Sequence, residues 1–409
     1  MPVHMTAISI FSALFIAWLA CQLPWFKYLR HRESRYVTLD GLRGFLALGV
    51  FFTHFVLTYY WSHTGEWRYI PEIFYRNTGT VGVAIFFMIT GFLFVTKLKE
   101  SCLKTSWIEL YISRFYRIYP LYIISILIMS IIVFTSTKDS EIVNKYNLLY
   151  EYFKWVLFSG GEINGFEDTR LINAGVDWSL KYEWLFYLTL PLVSIFLRIS
   201  SFWLAFSLFS LLIYFSINPI FIGPINTKYL VLFALGGLTS TIEDYFKKRK
   251  INTEGALSSV VVIFGLTLSL LFFQNLDFHH ILAIYLSFNL IVLGNSIFGI
   301  LKLRAAILLG ELSYSIYLLH GILLYLVFTH WKLVDIRLLE IEAYQGFMPV
   351  ISVLIVLVSM ATYLLIEKKS IDCGNAVRKN YRMFLKNKDY KSNQLFEMSN
   401  QATSDKKIE

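Results

Sequence analysis

The residues best suited to chemistry in this sequence lie inside long apolar runs. Arg43 and His54 are eleven positions apart in one of them. At 3.6 residues per turn, eleven positions rotate about 1100°, only ~20° off three full turns. One helical face should therefore carry both side chains, about 16 Å apart along the axis. A guanidinium grips phosphate bidentately, and an imidazole can take a proton at neutral pH. A second run contains Ser313-Tyr314-Ser315-Ile316-Tyr317-Leu318-Leu319-His320. There Ser313 and His320 share a face, with Glu311 on the opposite one. A third opens Asp177-Trp178-Ser179-Leu180-Lys181-Tyr182-Glu183-Trp184, and Glu183 and Tyr187 fall four apart on one face. Arg114 and Arg117, three apart, open a fourth. Ionisable groups are costly inside a bilayer, so each is a functional candidate. Competing readings are a snorkelling anchor for Arg43, a packed core histidine for His54 and ordinary basic flanking for Arg114.

The elements that hold these residues must be membrane helices. Of the 409 residues 56% are hydrophobic and 16% charged, with mean hydropathy +0.57. Soluble domains carry about 25% charged residues, so a water-soluble globule, a disordered chain and a disulfide scaffold are excluded. Eleven apolar runs are long enough to span: 6–26, 41–60, 79–96, 114–135, 178–197, 201–218, 227–243, 255–273, 280–299, 304–328 and 346–366. The first lacks the basic start of a signal peptide and reads as a retained span. Alternating the loops puts 26 of the 37 Lys and Arg residues on one side and ten on the other, with Arg43 at a span entrance. By the positive-inside rule the N-terminus is expected outside and the C-terminus in the cytoplasm. The expected fold is thus an all-α polytopic membrane protein of about 11 transmembrane helices, multi-pass in the inner membrane. The net charge of +9 is explained by those loops and calls for no nucleic acid. Cys21, Cys102 and Cys373 have no metal-ligand spacing, so no metal is expected. The longest outside loop, roughly 137–177, is acidic, and the basic, Ser/Asn/Lys-rich tail reads as disordered.

Placed along these spans, the candidates form a two-ended site. Arg43, Arg114 and Arg117 gather at the cytoplasmic end, and His54, Glu183 and His320 towards the outside. Such a site suits a phosphorylated donor from the cytosol and an acceptor on the far side.

At this point the residues resemble acyltransferase family 3, a family of membrane acyltransferases. Its Arg, ten residues, then His signature is similar to Arg43 to His54. Its glycine-rich span resembles Gly82 to Phe92, with Thr90 where Ser is usual and Ala84 where an acid is usual. Its Arg-x-x-Arg-Ile-x-Pro element resembles Arg114 to Pro120. The Trp-Ser-Leu…Glu…Phe-Tyr element resembles Trp178, Ser179, Leu180, Glu183, Phe186 and Tyr187, and Ser-Tyr-Ser-x-Tyr-x-x-His resembles Ser313 to His320. Each motif alone is weak; five in order, from about residue 38 to 367, are specific. The closing Glu-Lys-Pro stands here as Glu367-Lys368-Lys369, and the first span is additional to the usual ten.

The resemblance implies transfer of an acyl group, acetyl being the expected one, from acetyl-CoA to a sugar hydroxyl. The implied acceptor is a surface polysaccharide, a lipopolysaccharide O-antigen or another lipid-linked glycan, reached through the bilayer. It makes His54, Glu183 and His320 catalytic, Arg43, Arg114 and Arg117 donor-binding, and Trp178, Tyr187, Ser313, Tyr317 and Thr90 substrate contacts. His54 would serve as general base or form a covalent acyl-histidine; both routes stay open. Residues 1–37 form an extra helix and basic loop, 38–367 the acyltransferase-like membrane domain and 368–409 the tail. No outside hydrolase-like domain follows, so transfer is expected to be completed by this chain or with a separate periplasmic partner. The acidic and aromatic outside loops 61–78 and 137–177 are expected to set acceptor choice. The alternative is a proton-coupled transporter or flippase of glycan intermediates, which also uses buried His, Glu and Arg; internal repeats and paired broken helices would mark it, and none is visible.

Overall fold

A computed structural model describes residues 3–30, 35–67, 70–101, 105–136, 145–198, 214, 217–218, 220–222, 225–249 and 253–405. The fold is a helical bundle whose one sheet, among the described residues, is the two-stranded hairpin β1 (Phe221–Ile222) and β2 (Ile225–Asn226). Among the described residues, six helices are long and apolar enough to cross a membrane. They are α2 (Val37–Thr64), α3 (Ile73–Glu100), α4 (Trp107–Ser136), α7 (Trp178–Arg198), α12 (Ser313–Tyr325, continued by a π turn Leu326–His330) and the long helix formed by α14 (Met348–Thr362) with its neighbours. Three further expected spans form shorter apolar helices, α1 (Val3–Ala20), α9 (Ala256–Leu271) and α10 (Phe278–Val292). The run 227–243 lies in α8 (Thr227–Arg249), whose last turns carry Glu243, Asp244, Lys247, Lys248 and Arg249. The run 201–218 falls almost wholly outside the described residues.

Where the sequence places a span over 280–299, the helix stops at Val292. Gly294 and Gly299 turn left-handed, at φ 112° and 89°, and Asn295 ties the turn by donating to Thr253 O and accepting from Ile297 N. In place of the expected disordered tail, a π turn (Tyr363–Glu367) leads from α14 straight into α15 (Lys368–Asp405). No proline interrupts this passage, so nothing removes the backbone donors a helix needs.

Close packing in the bundle depends on residues without side chains. A methyl on Gly91 of α3 would lie 1.9 Å from Phe233 O of α8, and one on Gly236 of α8 would lie 2.0 Å from Met88 O of α3. In the same way Gly44 of α2 and Gly310 of α11 (Arg304–Glu311) bring those helices into backbone contact. Lipid offers helices no hydrophobic drive to associate, so such close approach supplies much of the attraction. Helix α1 is part of this body: it packs on α14, and Thr6 Oγ1 meets Tyr75 OH at 2.9 Å.

The segment between α5 (Lys145–Val156) and α7 is not a surface loop. Ile163, Ile172, Asn173, Val176 and Asp177 are buried. It holds one helical turn, α6 (Thr169–Ile172), and Tyr122 OH donates to Trp155 O at its start (2.7 Å). Its backbone at Asn173 presses so closely on Gly321 of α12 that a methyl there would lie 2.3 Å away. Irregular backbone is tolerated at such depth only when protein covers it.

Candidate active site

His54 of α2 and His320 of α12 meet at the centre of the bundle, with His320 Nε2 2.8 Å from His54 Nδ1. The acceptors around them fix the tautomers of the neutral rings. Ile316 O can only accept, so His320 Nδ1, 2.9 Å away, carries the hydrogen. His320 Nε2 then holds a lone pair and accepts from His54 Nδ1–H, which also reaches Val50 O at 3.1 Å. His54 Nε2 is left with its lone pair, and among the described residues it makes no hydrogen bond. Trp67 stacks on the His54 ring (6.4 Å between centroids, 15°), and Phe51 and Tyr317 stand edge-on to His320. His320 is fully buried.

One end of the site is a pair of adjoining cavities of about 160 and 320 Å³ that share Arg43, Leu93, Arg114 and Arg117. The inner one runs between α3, α4, α7 and α12 and is lined also by Thr90, Ser179, Glu183, Tyr187, Ser313, Tyr314 and Tyr317. The outer vestibule is lined by Asp40, Ser113, Glu311, Tyr363, Gly374 and Asn375. Arg114 lies over the rings of Phe94 and Tyr187, at 5.2 and 5.8 Å. None of the three guanidiniums has a carboxylate within 4 Å among the described residues. The nearby carboxylates are taken by hydroxyls: Glu183 by Tyr187, Glu311 by Tyr28 and Tyr363, Glu367 by Ser315. Part-buried cations without a carboxylate partner carry some desolvation cost, and an anion entering there would relieve it.

Most of the expected site residues converge here. His54 and His320 touch. Arg43, Arg114 and Arg117 share one cavity wall, and Thr90, Tyr187, Ser313 and Tyr317 line the same space. Among the described residues Ser313 Oγ is buried without a partner, and Tyr317 OH bridges to Ser179 Oγ (2.7 Å) and Val176 O (3.1 Å).

Two expectations are corrected. Glu183 does not join the histidines; it faces the arginine cavity and is electrostatically coupled to Arg43. The buried 157–177 segment is the reason. It packs Asn173 on Gly321 and brings Ser179 to Tyr317, so α7 starts beside the turn of α12 that carries His320, and six residues from Asp177 carry Glu183 about 9 Å along the helix from there. Trp178 packs with Tyr229, Tyr182 and Phe87 (centroids 4.8, 5.6 and 6.1 Å) and does not line the cavity.

Three contributors escape the sequence reading. Trp67 belongs to an aperiodic polar loop. Glu367 stands in the sequence as the first residue of the closing Glu367-Lys368-Lys369 element, with no role attached to it; it is buried beside the field of Arg117 and Arg43. Asp177, which opens α7, is fully buried, and burial pushes its carboxyl up to about 6 against the pull of Arg170.

Comparison with known proteins points one way. A family model described as an acyltransferase domain matches residues 36–364. The acyltransferase MdmB of Streptomyces mycarofaciens is 27% identical over 175 residues, covering 39% of this chain and 40% of that protein. Nodulation protein 10 of Rhizobium leguminosarum bv. viciae is 27% identical over 174 residues, 40% of this chain and 45% of that protein. A protein named as an O-acetyltransferase in Staphylococcus aureus strain COL is 27% identical over 173 residues, 41% and 26% respectively. The matched stretch thus spans less than half the length of these curated relatives. No solved structure matches.

Proposed function

Because the chain belongs to the acyltransferase family whose model it matches over residues 36–364, we propose that it transfers an acyl group, acetyl being the expected one, from acyl-CoA to a glycan hydroxyl across the inner membrane. The donor enters from the cytoplasm at the arginine end. The acceptor, a sugar of a surface polysaccharide or lipopolysaccharide, meets it from the outer side at the histidines. Residues 38–367 form the working unit, with 1–37 and 368–409 as accessory segments; a separate periplasmic partner would serve only to hand over the acceptor.

One observation carries this reading: a histidine with a free Nε2 lone pair lies beyond a cavity walled by three unpaired guanidiniums. Arg43, Arg114 and Arg117 fit the phosphates of acyl-CoA, since each offers a planar donor fork with no protein carboxylate to compete. The inner cavity leads towards Tyr317, whose ring stands 6.2 Å from that of His320.

His54 Nε2 takes the proton of the acceptor hydroxyl as its oxygen bonds to the acyl carbon. The carbon–sulfur bond breaks, and the departing thiolate regains that proton from the His54 imidazolium. His320, through its Nε2, holds His54 in the tautomer that leaves the catalytic nitrogen free. Glu183 and Tyr187 order the cavity wall against Arg114. The chemistry needs no metal.

The test is transfer from labelled acetyl-CoA in oriented vesicles, comparing wild type with His54→Ala and Arg43→Ala. A base-labile labelled ester in wild type alone is the expected result. Wild-type transfer by His54→Ala would remove His54 from the mechanism. Glycan movement without any acyl-CoA dependence would replace the reading by a transporter.

A further inference from the structure

Three helices carry charge past the mouth of the vestibule. Leu93 of α3 and Asn375 of α15 line it, and one turn further out stand Lys97 and Arg378. Lys97 lies in the field of Arg114, Arg378 and Arg382. From α4, Glu109 reaches the same place, but its carboxylate is taken by Arg382. Lys97 and Arg378 keep no carboxylate within 4 Å among the described residues.

Arg378 is not an ordinary flanking cation. Its Nε is buried with no partner among the described residues, and its terminal nitrogen donates to Asn375, a vestibule residue. Helix α15 sits this close because Gly374 packs on the Tyr116 side chain, where a methyl would lie 2.7 Å from Tyr116 Cβ. Two unneutralised cations from separate helices therefore converge one turn outside the arginine cavity. One turn is about 5.4 Å, similar to the offset between the 5′- and 3′-positions of a single ribose.

We infer that Lys97 and Arg378 form a second phosphate site at the vestibule mouth, which binds the ribose 3′-phosphate of the acyl-CoA donor. The inference rests on the reading of the arginine cavity as the donor site. A phosphate monoester carries close to two charges at neutral pH and three strong acceptors, so it suits a pair of cations better than a diphosphate already held by Arg43, Arg114 and Arg117. The same chemistry could come from a lipid headgroup, and the experiment separates the two.

Full-length protein is placed in nanodiscs with and without anionic lipid. KM and kcat are measured for acetyl-CoA and for acetyl-3′-dephospho-CoA. Wild type should show a KM roughly tenfold or more higher for the dephospho donor, the size of one charge-assisted contact. Arg378→Ala and Lys97→Ala should raise KM for acetyl-CoA to that level, leave it unchanged for the dephospho donor and spare kcat. Arg378→Lys should restore part of the discrimination, and Lys379→Ala should leave the ratio as in wild type. Equal KM for the two donors in wild type overturns the site. So does an equal loss with both donors in Arg378→Ala, which would mark a packing role. Equal donors together with an anionic-lipid dependence that vanishes in Lys97→Ala would give the pair to a lipid headgroup. No transfer from either donor would overturn the donor reading itself and this site with it.

Discussion

Replacing His320 tests what the histidine pair does. If His54 is the base, its Nδ1–H becomes part of an imidazolium as the hydroxyl proton moves to Nε2. The 2.8 Å contact to His320 Nε2 then changes from a neutral to a charge-assisted hydrogen bond. A bond to a charged group is worth about 1.5–3 kcal/mol, so its loss slows the chemical step by about tenfold to somewhat over a hundredfold. His54 would not be left without orientation, because Val50 O still accepts from Nδ1 at 3.1 Å. His320→Ala should therefore retain residual turnover, well above that of His54→Ala, which forfeits the whole of general-base catalysis at roughly 10²–10⁴-fold. His320→Gln, whose amide oxygen can accept from Nδ1, should stay closer to wild type than His320→Ala. The assay is single-turnover transfer from labelled acetyl-CoA at saturating donor, which reads chemistry apart from binding. If His320→Ala falls as far as His54→Ala and the glutamine variant recovers nothing, His320 does more than fix a tautomer: it is itself a proton carrier or nucleophile, and the assignment of roles is wrong.

Arg43→Lys keeps the charge but loses the planar fork. KM for acetyl-CoA should rise roughly tenfold with kcat little changed, and steady-state kinetics would show a kcat loss instead if Arg43 acted on the reacting carbonyl. Gly91→Ala drives a methyl to 1.9 Å from Phe233 O and should destabilise by about 1–3 kcal/mol or more, lowering the midpoint of thermal unfolding in detergent; an unchanged midpoint would contradict the α3–α8 packing. Asp177 has its folded pKa raised from 3.8 to about 6. Between about pH 4 and 6 the native state therefore binds a proton that the unfolded chain does not. Stability should rise as pH falls through 6 and level off near 4. Asp177→Asn should be more stable than wild type at pH 7 and lack this component, as read by proteolysis of the 157–177 segment; an identical pH profile in the variant would refute the burial argument.

Much of the site was legible in the sequence because helical geometry is rigid. The Arg43–His54 spacing and the Ser313–His320 register follow from the angle per residue, and each pair lies within one unbroken helix. Arg114 and Arg117 could be grouped with Arg43 because basic residues mark one end of each span. The shorter helices were harder. The run 280–299 is apolar throughout, and only a Gly294-Asn295 turn ends its helix early. The tail reads as disordered from its composition, yet a proline-free passage from α14 lets the helix continue.

Glu183 shows what hydropathy cannot provide. Its helix and its hydrogen-bonded neighbour Tyr187 follow from the spacing; its depth does not. Depth counts from the helix start, and a sequence reader puts that start at the water boundary wherever a polar loop precedes an apolar run. Here the preceding loop is polar but buried, since Asp177, Asn173 and Thr169 meet their partners within the protein. The helix begins inside the bundle, against Gly321 and Tyr317 of α12, and every residue on it is displaced along with that start. The displacement has a chemical consequence. A carboxylate beside the histidines would have raised the basicity of His54 directly; beside the arginines it would compete with the phosphates of the proposed donor unless another group occupies it. Tyr187 is that group, donating its hydroxyl to Glu183 while its ring lies under Arg114. Tyr187→Phe would release the carboxylate towards Arg43 and Arg114, so weaker donor binding, not slower chemistry, is the signature expected of that change.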